Sequence, residues 1–123
     1  MSSANGRGGG GPGGFSVVSE PAGSGLRLVL RGDLDLASAD EFDRAMASAQ
    51  EATPASITLD LTALDFLDSC GLRSILTAQR LCSESGCELT LIPGEQAQRL
   101  FDLTGLSDKL PLSRPTDRSP NYG

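Results

Sequence analysis

The stretch FLDSCG, residues 66–71, decides how the rest of the chain is interpreted. Two bulky apolar residues, Phe66 and Leu67, lead into Asp68 and Ser69. Such a stretch is typical of a buried segment that ends in a tight turn. A hydroxyl beside a carboxylate at that place has three interpretations: a nucleophile, a helix cap, or an acceptor for a phosphate.

The residues on either side of this stretch predict a strand before it and a helix after it. In SITLDL (56–61), apolar residues alternate with polar ones, which is the period of a strand. After Ser69, apolar residues recur at helical spacing up to a glycine, Gly86, that indicates a C-terminal stop; they are Leu72, Ile75, Leu76 and Cys82. Ser69 is therefore expected between a strand ending near Asp60 and a helix starting near Cys70.

The residues that precede residue 56 predict a hairpin and a first helix. Phe15–Val18 and the segment LRLVLRG (26–32) are strand candidates, and the turn-forming residues between them favour an antiparallel hairpin with a long loop. Ser38, followed three residues later by Glu41, forms a capping-box pattern that predicts a helix from Ala39. Four apolar residues at helical spacing support that helix: Phe42, Ala45, Met46 and Ala49.

The residues that follow Gly86 predict one more strand and one more helix. CELTLI (87–92) is strand-like, and PGEQAQRLFDLTGL (93–106) places apolar residues on one helical side before a C-capping Gly105. KLPL (109–112) is a candidate edge strand, because its proline lacks an N–H group.

The predicted order is β-β-α-β-α-β-α with a candidate last strand, which indicates an α/β fold. We expect one domain, with a mixed, mostly parallel sheet of four to five strands and about three helices mainly on one face. The domain spans 15–112, and the polar, Gly- and Pro-containing segments 1–14 and 113–123 are predicted to be disordered tails.

Composition excludes several classes of function. The chain has 123 residues and a net charge of -6, which argues against nucleic-acid and anionic-membrane surfaces. It has no histidine, so Ser-His-Asp triads and His-ligated metal sites are excluded. Three cysteines without metal-ligand spacing favour free thiols in a reducing cytosol, and we expect no cofactor and no metal. No apolar run is long enough for a transmembrane helix, and the first residues do not form a secretory signal.

The residue types around Ser69 favour two of the three interpretations. As a helix N-cap, Asp68 or Ser69 would contribute ~1 kcal/mol. As a phosphate acceptor, Ser69 needs only to be accessible, because a kinase supplies the nucleotide, the metal and the base. A nucleophile is disfavoured, because Leu67 stands where the hydrolase motif G-x-S-x-G has its first glycine and no histidine can act as base.

Three ordered segments resemble the STAS-domain anti-sigma factor antagonists of bacteria. They are LRGDLDLASADEF (30–42), LDLTALDFLDSCGLRSILTAQRL (59–81) and AQRLFDLTGLSDKL (97–110), and the resemblance covers about residues 15–112. It implies a STAS-like fold. It also implies that the residue directly after Asp68, which is Ser69, accepts a phosphate. Cys70 replaces the usual second serine of the motif and so removes an alternative acceptor.

The resemblance further implies a partner-binding surface around Ser69. The implied partner-binding residues are Gly32, Asp33, Asp35, Asp68, Cys70, Gly71, Leu72 and Arg73. The three aspartates of this set are expected to lie close together if the GDLD segment (32–35) packs beside the helix that follows Ser69. A small residue is common in the family at the position of Arg73.

The function that the resemblance implies is a non-enzymatic, cytoplasmic switch in bacterial transcription regulation and stress response. The unphosphorylated antagonist binds an anti-sigma factor with serine kinase activity and so releases a sigma factor. Phosphorylation at Ser69 ends the binding, and a serine phosphatase resets the cycle. Two alternatives stay open: a STAS scaffold or adaptor subunit that never cycles through phosphorylation, and a small serine hydrolase.

Overall fold

The predicted order of strands and helices is present in the structure, a computed structural model that describes residues 14–113. The elements are β1 (Phe15–Ala22), β2 (Gly25–Leu34), α1 (Ala39–Glu51), β3 (Ser56–Leu67), α2 (Ser69–Ser85), β4 (Glu88–Ile92) and α3 (Glu95–Thr104). The strands form one sheet in the order β1-β2-β3-β4, in which β1 is antiparallel to β2 and the other two pairs are parallel. The predicted α/β fold with a mixed, mostly parallel sheet is confirmed.

The two predicted tails fall mostly outside the described residues. Segments 1–13 and 114–123 are not described, and the prediction that they are disordered stays a prediction. Gly14 and Ser113, which the sequence assigns to those tails, each make a backbone hydrogen bond to the sheet. The carbonyl of Gly14 accepts from the amide of Asp33 at 3.0 Å, and the amide of Ser113 donates to the carbonyl of Leu91 at 2.7 Å.

The hairpin is confirmed, but its predicted long loop is wrong. Ala22 pairs with Gly25, so the turn has only two residues, and the first of them, Gly23, has a φ of 62°. Gly25 is a strand residue and not a turn residue. A Cβ atom there would lie 2.2 Å from the Oγ atom of Ser56, so the glycine allows β2 and β3 to approach each other.

Strand β3 is six residues longer than predicted. Val29 pairs with Asp60 but Arg31 with Ala63, and Gly32 pairs with Leu64 but the next residue of β2 with Phe66. Each of the two shifts adds one residue to β3, as a β-bulge does. The bulges break the alternation of apolar and polar residues beyond residue 61, which is why the pattern did not reveal that the strand continues to Leu67.

Helices α1 and α2 lie side by side over the sheet. Helix α1 contacts β1 and β2, α2 contacts β3 and β4, and the two helices contact each other. Right-handed crossovers between successive parallel strands place both helices on the same face. Helix α3 contacts β3. The predicted apolar faces are buried at Phe42, Met46 and Ala49 of α1, Leu72, Ile75 and Cys82 of α2, and Ala97 and Phe101 of α3.

The helix ends follow the predicted glycines, and the last predicted strand is reduced to one bridge. Gly86 and Gly105 cap α2 and α3 with φ values of 76° and 75°. In the segment KLPL (109–112), the structure has a single parallel bridge between Leu91 and Leu112. None of the helices within residues 14–113 is both long enough and apolar enough to span a membrane.

Candidate functional site

Ser69 is the first residue of α2, directly after the aspartate that caps the helix. Asp68 has the extended backbone of an N-cap residue (φ −111°, ψ −172°). Its Oδ1 atom accepts hydrogen bonds from the amides of Cys70 at 2.9 Å and Gly71 at 3.0 Å. The cap predicted at Asp68 or Ser69 is therefore Asp68, and the hydroxyl of Ser69 is not needed to cap the helix.

The side chain of Ser69 is exposed, and its hydroxyl makes no hydrogen bond to any residue between 14 and 113. Arg73, one helical turn further on, is exposed as well, and Cys70 is half-buried. Ser74, the next serine of the helix, is only 7% exposed. Ser69 is therefore the accessible hydroxyl of the first two turns of α2.

Two of the residues that the sequence assigns to partner binding are buried. A Cβ atom on Gly71 would lie 2.5 Å from the carbonyl oxygen of Leu34 and 2.8 Å from the Cδ1 atom of Leu67, so the glycine lets α2 begin directly on the ends of β2 and β3. Leu72 belongs to the core. Neither residue offers accessible surface, so any contribution they make to a partner surface comes through the position of α2.

The register of β2 and β3 brings the aspartates of the site to one edge of the sheet. Leu34 pairs with Leu67, so Asp35 and Asp68 each directly follow the last paired residue of two neighbouring parallel strands. The amide of Asp68 donates to the carbonyl of Leu34 at 3.3 Å. Paired strands lie about 4.8 Å apart, so the segment 32–35 does pack beside the start of α2. Within it, however, residues 32–34 belong to β2.

Gly32 has a structural role at this edge. Its φ is 93°, a conformation that L side chains rarely adopt, and a Cβ atom there would lie 1.8 Å from the carbonyl oxygen of Gly14. The same carbonyl accepts a hydrogen bond from the amide of Asp33. The absence of a side chain at Gly32 therefore leaves room for the backbone that leads into β1. Gly32 shapes the edge and presents no side chain to a partner.

Ser38 does not form the predicted capping box. Its backbone is helical (φ −106°, ψ −3°), and its hydroxyl makes no capping hydrogen bond to α1. A capping residue needs an extended backbone, which Ser38 lacks. Its hydroxyl instead donates to the carbonyl of Asp33 at 2.7 Å and accepts the amide of Asp35 at 3.0 Å. Ser38 thus holds the loop that carries Asp35.

Two exposed apolar side chains that the sequence did not assign to the site lie at the same edge. Phe66 is 46% exposed and Leu36 is 75% exposed. Phe66 pairs with Asp33, and Leu36 lies two residues beyond Leu34. Phe66 was interpreted as part of a buried run, but alternation along β3 from the buried Leu67 would have placed it outward. Leu36 lies in no pattern of alternation that would have predicted its exposure.

The groups available at this edge are an exposed hydroxyl, several carboxylates and apolar surface. Among residues 14–113 there is no group of three or more His, Cys, Asp or Glu side chains that could hold a metal ion. A hydroxyl that is accessible and makes no hydrogen bond to the described residues can accept a group that another protein transfers to it.

Known proteins share this arrangement of strands and helices. Residues 18–118 match the family model described as the STAS domain. A crystal structure of an anti-sigma factor antagonist from Mycobacterium paratuberculosis has 24% sequence identity and a TM-score of 0.73, and the match covers 90% of this chain and 95% of that one.

The anti-sigma factor antagonist SpoIIAA is similar in two forms. Its unphosphorylated form has 17% identity and a TM-score of 0.66, covering 86% of this chain and 95% of that one. Its phosphorylated form, described as a Bacillus cell fate determinant, has 17% identity and a TM-score of 0.62, covering 88% of this chain and all of that one. At these identities the likeness shows the fold alone.

Proposed function

The chain belongs to the STAS domain family, and from this premise we propose that it is an anti-sigma factor antagonist switched at Ser69. The unphosphorylated form binds an anti-sigma factor with serine kinase activity, and the sigma factor held by that kinase is released. Phosphorylation of Ser69 ends the binding, and a serine phosphatase restores it. The protein is thus a cytoplasmic, non-enzymatic component of partner switching in bacterial stress-responsive transcription.

The observation that carries this proposal is the accessibility of the Ser69 hydroxyl. It is exposed at the first position of α2 and makes no hydrogen bond to the described residues. A kinase therefore reaches it without unfolding the helix. The relatives support the proposal, because SpoIIAA, a protein with this fold, exists in an unphosphorylated and a phosphorylated form.

The charges at this edge explain how a phosphate would end binding. A phosphoserine carries about −1.5 to −2 charges at neutral pH. The amides of Cys70 and Gly71, which would otherwise attract it, already bind the carboxylate of Asp68. Asp35 follows the neighbouring strand. The new charge would therefore stay at the surface and oppose the desolvation that close contact with a partner requires.

The exposed apolar side chains complete the proposed partner surface. Leu36 and Phe66 lie at the same edge as Ser69 and offer the apolar area that stabilises a protein interface. Asp33 and Asp35 are only partly buried beside them. A complementary partner surface has an apolar centre with basic residues around it.

Co-expression with the serine kinase anti-sigma factors of the same genome tests the proposal. The complex should persist with ADP and dissociate with ATP and Mg²⁺, as measured by size-exclusion chromatography. With Ser69→Ala, it should persist under both conditions. Ser83→Ala, which changes an exposed serine near the other end of α2, is the matched control and should behave like the wild type. A wild-type complex that ATP leaves intact would instead favour a scaffold that never cycles.

A further inference from the structure

The last turn of α2 brings two cysteines together. The helix ends in a left-handed Gly86, where the amide of Cys87 donates to the carbonyl of Cys82 at 2.9 Å and the amide of Gly86 to that of Ser83 at 3.4 Å. These two bonds define a Schellman motif, in which the side chains that flank the turn are neighbours and frequently pack together. In this chain both of those side chains are thiols.

The two cysteines flank the same turn and differ in exposure. The side-chain amide of Gln50 donates to the Sγ atom of Cys82 at 3.7 Å, and the thiol of Cys87 donates to the carbonyl of Glu88 at 3.9 Å. Cys82 is only 1% exposed. Burial raises the pKa of its thiol to about 11, and the neighbouring Cys87 adds to the shift. Cys82 is therefore protonated at neutral pH and closed to solvent.

Cys87 is reached from outside through a cavity. The cavity has a volume of about 260 Å³ and lies between the end of α1 and the end of α2, lined by Gln50, Thr53, Pro54, Ser85, Gly86 and Cys87. A small molecule in this cavity meets Cys87 first. The buried Cys82 does not line the cavity.

We propose that Cys82 and Cys87 form a dithiol site that low-molecular-weight disulfides oxidise to an intramolecular disulfide. Cys87, as the thiolate, attacks one sulfur of the small disulfide, forms a mixed disulfide and expels one small thiolate. The thiol of Cys82 then attacks the Sγ atom of Cys87 and breaks the mixed disulfide, and its proton passes to the second small thiolate, which leaves as a thiol. Two protein thiols are oxidised, one small disulfide is reduced to two thiols, and no other reactant is needed.

The dithiol site is separate from the proposed switch. Cys82 follows Ser69 by 13 residues in α2, so the site lies about 20 Å from Ser69 along the helix. The disulfide would link the end of α2 to the residue that precedes β4. It depends neither on a kinase nor on an anti-sigma factor, so its test is independent of the proposed function.

Reaction of the full chain with oxidised glutathione tests this inference. A Cys70→Ser background leaves Cys82 and Cys87 as the only cysteines. After acid quenching and labelling with N-ethylmaleimide under denaturing conditions, we expect no glutathione, no maleimide and a loss of two hydrogens by intact mass. Non-reducing peptide mapping should show the link between Cys82 and Cys87.

Two further variants in the same background separate the two steps. Cys82→Ala should trap one glutathione on Cys87, because the resolving thiol is absent. Cys87→Ser should take up no glutathione while folded, because Cys82 is buried. A glutathione that persists on Cys87 while Cys82 is present, or two thiols that still react with maleimide, would overturn the inference. If Cys82→Ala fails to fold by circular dichroism, the inference is still tested by peptide mapping of the Cys70→Ser protein and by glutathione uptake of the Cys87→Ser variant.

Discussion

The starts of α1 and α2 lie at the same edge of the sheet, and each combines an aspartate with a serine. At α1, Ser38 is 8% exposed and its hydroxyl is bound to the loop through Asp33 and Asp35. At α2, Asp68 binds the first amides of the helix, and Ser69 remains exposed without a hydrogen bond to the described residues. The same two residue types thus support a loop in one place and present an exposed hydroxyl in the other.

The difference follows from which residue stands in the N-cap position. Before α1, that position is occupied by Ser38 with a helical backbone, and its hydroxyl turns back into the loop. Before α2, it is occupied by Asp68 with an extended backbone, and the serine comes one residue later. A shift of one position along the chain therefore separates a structural serine from an accessible one. A serine beside an aspartate is therefore not sufficient to identify a candidate phosphorylation site. The hydroxyl must also be exposed, as it is at Ser69 and not at Ser38.

The largest expected effect is on partner binding at the second helix start. Ser69→Asp should weaken binding to the anti-sigma factor at least tenfold, which is ~1.4 kcal/mol, because it adds a charge that the interface must desolvate. Ser69→Ala should keep binding, since it removes only a hydroxyl. Isothermal titration calorimetry measures both. Equal affinity of the two folded variants would mean that charge at this helix start does not control binding.

The next largest effect is on the free energy of unfolding, to which Ser38 should contribute more than Ser69. Ser38→Ala should lower the free energy of unfolding by about 1–3 kcal/mol, because the carbonyl of Asp33 and the amide of Asp35 lose a buried partner. Ser69→Ala should change it by no more than about 0.5 kcal/mol, since it removes an exposed hydroxyl that makes no hydrogen bond to residues 14–113. Urea unfolding compares the pair. Similar losses for both variants would remove the distinction between a structural and an accessible serine.

The cap of α2 gives a smaller effect. Asp68→Ala should cost about 0.5–2 kcal/mol, because the amides of Cys70 and Gly71 lose their acceptor. Asp68→Asn should cost less, since asparagine is also a good N-cap residue. Thermal unfolding followed by circular dichroism ranks the two variants. If Asp68→Ala were as stable as the wild type, Asp68 would not be the cap that leaves Ser69 available.

The smallest expected effect is on the pH dependence of stability, and it concerns Asp60, a buried carboxylate away from this edge. Burial raises its pKa, but hydrogen bonds from Thr62 and Arg27 and the charge of Arg27, whose Nη2 atom lies 2.6 Å away, outweigh burial and lower the pKa below its ordinary value. The resulting stability is present above the unfolded pKa of about 3.9 and is lost as the pH falls through the lower folded value. In urea unfolding below pH 4, Asp60→Asn should therefore lose less stability with falling pH than the wild type. Parallel pH profiles would contradict this.

Local patterns were sufficient to predict most of the fold. The apolar faces of α1 and α2 and the capping glycines Gly86 and Gly105 are encoded within a few residues of each element, and all are present in the structure. The end of β3 and the tight turn at Gly23 were not predicted. The end of β3 depends on bulges that are defined only by its pairing with β2. The loop was predicted too long because Gly25, a glycine that allows the close approach of β2 to Ser56, has the residue type of a turn.

The candidate site could be predicted only in part, for the same reason. The position of Ser69 after a strand and before a helix follows from the local pattern. That Ser38 bonds the loop, that Gly71 and Leu72 are buried, and that Leu36 and Phe66 are exposed depend on how β2 and β3 are paired. Contacts between distant segments of the chain are not written in the spacing of apolar residues.

The central claim is that Ser69 is the single regulatory phosphosite, and its most direct test is phosphosite mapping. The wild type, Ser69→Ala and Ser83→Ala are incubated with the partner kinase and ATP and analysed by intact-protein mass spectrometry with peptide mapping. We predict one phosphate per chain on Ser69 in the wild type and in Ser83→Ala, and none in Ser69→Ala. A phosphate that persists in Ser69→Ala, or that maps in the wild type to Ser74 or Thr77, would contradict the account.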